Sequence, residues 1–95
     1  MIQIHAKLTI EDLPRFLGVF STAGAEARGR HGSARSEIFA VEEDPNQVYL
    51  IFDWESREAF ESFLADTTVR ETMQSSGTIG RPEFTIVRRM ATLPY

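Results

Sequence analysis

The sequence predicts an α+β chain: one four-stranded antiparallel sheet with helices packed on one face, in the order strand, helix, strand, strand, helix, strand. Three observations predict it. Residues 2–8 alternate apolar and polar, as a half-buried strand does. Two stretches, one from about residue 11 and one after Ser56, repeat apolar residues at three- and four-residue spacing, as one-faced helices do. Between two runs of bulky residues, "EDPNQ" at 43–47 has the chemistry of a hairpin turn.

In the first strand Ile2, Ile4, Ala6 and Leu8 share one face, and Gln3, His5 and Lys7 the other. The first helix carries Leu13, Phe16, Leu17, Phe20, Ala23, Gly24 and Ala27 on one stripe. Thr9 or Asp12 caps it; with Asp12 as the cap, Pro14 falls in the first turn, where its missing N–H costs nothing. Gly29 or Gly32 ends it. The second strand runs from about Ala34 to Glu42, the turn is Asp44-Pro45-Asn46, and the third strand is Val48 to Trp54. Ser56 caps the next helix, with Phe60, Phe63 and Leu64 on its stripe, and "TVRE" at 68–71 reads as a capping box that opens a second short helical piece. Gly77 and Gly80 close that piece, and Phe84 to Met90 form the last strand. With right-handed crossovers this order gives a ferredoxin-like βαββαβ sandwich, a single domain spanning 1–95.

Composition narrows the function classes. There is no cysteine among the 95 residues, which removes disulfides, thiolate metal sites and cysteine nucleophiles. A net charge of -4 argues against nucleic acid, whose binding needs a basic face. The cluster "RGRHG" at Arg28 to Gly32 reads as a solvated loop after a helix rather than an anion site. No signal peptide or membrane-length apolar run is visible, so a cytoplasmic protein without a membrane partner is expected. His5 and His31 are the only histidines and lie far apart, so no metal site is expected.

Both faces of the sheet are apolar. Val48, Leu50 and Phe52 point one way along the third strand and Tyr49 and Ile51 the other; Ile38 and Ala40 oppose Phe39 and Val41, and Phe84 and Ile86 oppose Val87. Helices cover one face only, and a bare second face would exceed the apolar patch a monomer tolerates. A second copy on a two-fold axis is the expected cover. Such a dimer encloses Gln3, His5 and Lys7 beside Tyr49, Ile51 and Asp53, with Arg35 and Glu37 in the register of Phe39. This is either a small-molecule chamber or a dry interface with a polar rim.

The segment "GSARSEIFAVEEDPNQVYLIFDWESREAFESFLAD" resembles the hairpin and second helix of the antibiotic biosynthesis monooxygenase family, small dimeric α+β barrels. The likeness is strongest from Gly32 to Val69 and centres on "W-x-S-x-E-A-F". It implies oxygenase chemistry without metal, flavin or other cofactor, in which a phenol or anthrone loses a proton and its anion meets oxygen directly. His5 is then the expected base and Arg35 a second catalytic residue, with Tyr49, Trp54, Phe39 and Asp53 around a small aromatic substrate. Trp54 has an alternative role as a plug at the strand-to-helix corner. A histidine common in the second helix of relatives is replaced by Phe63. The haem-degrading branch is disfavoured, because its asparagine, tryptophan and histidine positions fall at Lys7, Phe63 and Met73. A non-catalytic ligand-binding dimer and an isomerase or cyclase are the alternatives.

Overall fold

The computed structural model describes all residues from Met1 to Tyr95. The elements run β1 (Ile2–Ile10), α1 (Leu13–Phe20), α2 (Ala23–Arg30), β2 (Ser33–Val41), β3 (Asp44–Trp54), α3 (Arg57–Ala65), α4 (Thr67–Ser75) and β4 (Thr78–Val87). The strands form one antiparallel sheet in the order β2-β3-β1-β4, the ferredoxin-like arrangement expected. The period-two pattern decides which side is which. Ile4, Ala6, Leu8, Val48, Leu50, Phe52 and Trp54 are buried and join Phe16, Ala27, Phe60, Phe63 and Val69 from the helices in one core. On the other side Phe39, Tyr49 and Ile79 stand 45%, 44% and 47% exposed.

The first expected helix is split in two, and the second is followed by a separate piece, as expected. Asp12 does cap α1, its Oδ2 accepting from the backbone N–H of Arg15 at 2.9 Å, with Pro14 in the first turn. The helix breaks at Ser21 and Thr22, although the apolar stripe continues past them. There the Thr22 hydroxyl donates to the Gly18 carbonyl at 2.7 Å and the Ser21 hydroxyl to that of Leu17. Side-chain hydroxyls that bond the preceding turn compete with the backbone and bend or end helices. After α2 the chain turns at Gly32, whose φ of 95° is a left-handed conformation that favours glycine.

The second pair meets at Asp66, which ends α3 and caps α4 by accepting from the Thr68 N–H at 2.9 Å. The second helical piece exists, but Asp66 opens it and the expected box at Thr68–Glu71 does not. The same carboxylate meets His31 Nε2 at 2.9 Å, just beyond α2. The His31 hydrogen bond, helped by the Thr68 N–H, holds the Asp66 carboxyl below its ordinary value. A carboxyl with a lowered native pKa adds stability that is full above its unfolded pKa of about 3.9 and disappears as pH falls through the lower native value. Asp66→Asn keeps a cap and removes the charge. It should therefore melt below the parent protein at neutral pH, with the gap closing steadily below about pH 4; thermal melts across that range check this.

Two turns differ in detail from expectation. The β2–β3 reversal is Glu42–Glu43, with Val41 opposite Asp44, and Asp44-Pro45-Asn46-Gln47 instead forms a bulge before Ala40 and Val48 pair. Pro45 has no N–H for the ladder, and Asn46 turns its amide to the Ile10 carbonyl at 2.9 Å, tying the bulge to the end of β1. β4 begins at Thr78, ahead of the expected Phe84, because Gly80 and Pro82 are absorbed in a second bulge between Lys7–Glu83 and Thr9–Ile79. It ends at Val87, and residues 88–95 are exposed without regular structure.

Candidate ligand site

A small, partly open apolar cavity lies between the helices and the inner face of the sheet. Leu8, Leu50 and Phe52 form its floor, Phe16, Phe20 and Ala27 one wall, and Phe63, Val69 and Met73 the other. Its volume is about 60 Å³, less than the roughly 150 Å³ that takes up benzene in an engineered core. An aromatic ring therefore enters only if wall side chains move, and flexible Met73 is the cheapest to displace.

Three polar side chains reach this wall. Two are already satisfied: the Thr72 hydroxyl donates to the Thr68 carbonyl at 2.9 Å, and Ser76 Oγ bonds the Met73 carbonyl at 2.6 Å and Thr78 Oγ1 at 2.9 Å. The third is Arg28, only 8% exposed. Its guanidinium lies over the Phe20 ring, 3.6 Å from the centroid, and joins none of the chain's ion pairs. Burial pushes it down to about 10, so it stays charged at neutral pH. Gly24 makes room for it: a Cβ there would stand 3.0 Å from Arg28 Nη1 and 3.2 Å from the Val19 carbonyl oxygen.

Arg28 corrects the solvated-loop reading of "RGRHG". Residues 28–30 are the last turn of α2, and Arg28 follows Gly24 at i+4 and Phe20 at i+8, on the apolar stripe. That stripe was the sequence signal for it: a cation in register with Phe16, Phe20 and Gly24 points inward.

The expected site residues lie on the opposite, open side of the sheet, with one exception. Strand register sets them in rows: Arg35, Asp53, Gln3 and Val87; then Glu37, Ile51, His5 and Thr85; then Phe39, Tyr49, Lys7 and Glu83. His5 is half-buried with Nε2 3.1 Å from the Gln3 amide oxygen, Arg35 pairs with Glu37, and Asp53 accepts from Gln3 at 3.4 Å. Trp54 is the exception. It shares the parity of Phe52, is fully buried, and packs against Phe60 and Phe63 with ring centroids 5.3 and 4.8 Å away. It is the corner plug and reaches no open-face chamber. The apolar cavity and His5 thus lie on opposite sides of the sheet.

Set beside solved structures, this chain matches the cofactor-independent oxygenase SnoaB from Streptomyces nogalater with a TM-score of 0.77 at 21% identity, over 99% of this chain and 97% of that one. The chain has the fold of the antibiotic biosynthesis monooxygenases. A solved antibiotic biosynthesis monooxygenase aligns with a TM-score of 0.72 at 14% identity, over 96% of this chain and all of the other. Protein Atu4242 from Agrobacterium tumefaciens aligns equally well at 19% identity, over 99% and 98%. No family model matches the sequence, and no curated protein does. The monooxygenase fold is therefore carried here by strand order, parity and core, at identities where side chains have largely diverged.

Proposed function

We propose that this chain is a monooxygenase that works without metal or flavin on a small aromatic substrate of the phenol or anthrone type, as a homodimer paired through the open sheet face. The apolar cavity under the helices is the observation that carries the reading, and the shared fold with a named cofactor-independent oxygenase supports it. Oxygen is itself apolar, so leaving water for such a space carries little desolvation penalty. A substrate carbon that has lost its proton supplies every electron the reaction needs: it bonds to oxygen, and the resulting hydroperoxide expels water to leave a carbonyl. The balance is one CH₂ group and one O₂ giving one C=O and one water. The protein's share is to hold the ring, exclude bulk water and favour the anion.

Oxygen uptake with a panel of anthrones and hydroquinones tests this. The expected result is one oxygen consumed per carbonyl formed, with no peroxide accumulating. Ala27→Leu, which fills the cavity, should lower kcat/KM by about a hundredfold, as a misplaced reactant does. His5→Ala, across the sheet, should change it less than about threefold. Collapse of activity in His5→Ala would move the chemistry to an inter-subunit chamber on the open face. Ligand binding with no oxygen consumed by any panel member would favour the binding module, and proton rearrangement without oxygen the isomerase.

A further inference from the structure

We infer that the cavity takes its ligand as an anion, with the Arg28 guanidinium pairing to a planar oxyanion, carboxylate or phenolate, on an otherwise apolar ring. This rests on the reading of the apolar cavity as the ligand site. A guanidinium largely withdrawn from water, with no carboxylate beside it, is unfavourable for a small domain. The Phe20 ring offsets part of that cost, but a ring face satisfies none of the five N–H donors. The other polar groups in the wall, Thr72 and Ser76, spend their hydroxyl protons within the fold. Arg28 is thus the one charged donor at the wall; it lies against the Phe20 ring with little of it facing the cavity, so an entering acceptor engages it by a turn of the guanidinium, whose planar fork suits a two-oxygen or single phenolate acceptor.

The surroundings are selected in the same sense. The chain holds 14 acidic and 10 basic residues, yet no acid lines the cavity. Beside it, between α4 and β4, an open groove of about 620 Å³ shares Met73, Pro82 and Phe84 with the cavity wall and carries Arg70 and Arg81, again without an acid. An anion approaching that groove meets Arg70 and Arg81 on its lining, with Met73, Pro82 and Phe84 standing between groove and cavity.

Binding measurements that need no turnover test this. The probes are 2-naphthoate, its uncharged isostere 2-naphthamide, and 4-nitrophenol, whose phenolate reports itself by visible absorbance. The parent protein should bind 2-naphthoate at least about tenfold more tightly than the amide, or ionise bound 4-nitrophenol at a pH about one unit below that of the free compound. The stronger of the two responses identifies carboxylate or phenolate as the natural group. Arg28→Met should abolish both effects, and Arg28→Lys should keep part of them. Without ligand, Arg28→Met should melt no lower than the parent, because a buried unpaired charge has been removed; a merely structural arginine on Phe20 would lower the melt. Equal binding of acid and amide, with no shift of nitrophenol, overturns the inference. Anion binding that persists without oxygen consumption on any substrate would sink the oxygenase reading and leave this one standing.

Discussion

Trp54→Ala should destabilise the fold by about 3–5 kcal/mol, the range for emptying a buried aromatic site. Its ring is fully buried and meets Phe52, Phe60 and Phe63 with centroids 5.7, 5.3 and 4.8 Å away. A domain of this size has total stability of only about 5–15 kcal/mol, and each kcal/mol moves its melting temperature by about 4–8 °C. The variant should therefore be partly unfolded at ordinary temperatures, which denaturant titration at fixed protein concentration would record as a large fall in midpoint. Trp54→Phe is a sharper probe. The indole Nε1 is buried without a hydrogen-bond partner, so phenylalanine removes an unsatisfied donor while it gives up part of the volume. The two effects oppose each other, and the net change should stay under about 1.5 kcal/mol. A loss in Trp54→Phe as large as that in Trp54→Ala would mean that the indole N–H has a partner, such as a held water.

The contrast between Trp54 and Arg28 shows what the sequence could and could not reveal. Strand parity was legible because one residue step fixes one face: once Ile4, Ala6 and Leu8 are assigned inward, His5 and Lys7 must point out. The same parity, extended from Val48 through Leu50 and Phe52, sends Trp54 into the core. Helix termini were legible at Asp12 and Ser56, where short polar side chains precede apolar stripes. The break in the first helix was not. Three- and four-residue spacing runs unbroken from Leu13 to Ala27, while the interruption comes from two hydroxyls bonding carbonyls behind them. Similarly, Asp44-Pro45-Asn46 has turn chemistry whether it makes the reversal or the bulge beside it; the pairing of Val41 with Asp44 decides.

The site was harder still, because a cavity is what side chains fail to fill. No local pattern encodes that shortfall, which depends on how the four helices lie over the sheet. Composition also misdirects at Arg28: flanked by Gly29, Arg30, His31 and Gly32, it looks solvated, and only its i+4 step from Gly24 within α2 turns it inward, over Phe20.

Tyr49→Asp should convert the proposed dimer to a monomer while leaving the subunit folded. Tyr49 stands on the open face between Phe39 and Lys7, 44% exposed and pointing away from the core, so the substitution meets water in the isolated chain. In a two-fold pairing of these faces it would be buried twice, once from each subunit, and an unpaired carboxylate taken out of water costs several kcal/mol. The dissociation constant should therefore rise by at least about a thousandfold, which is 4 kcal/mol. The rows favour a second copy over an unrelated cover. Arg35 with Glu37 and Lys7 with Glu83 present both signs on each subunit, so a two-fold rotation can set opposite charges against each other around the Phe39, Tyr49 and Ile51 patch. Sedimentation at micromolar concentration decides the matter: a parent protein that runs as a monomer removes the dimer outright. A variant that dissociates yet still binds 2-naphthoate would place the ligand within one subunit, on the helix side of the sheet.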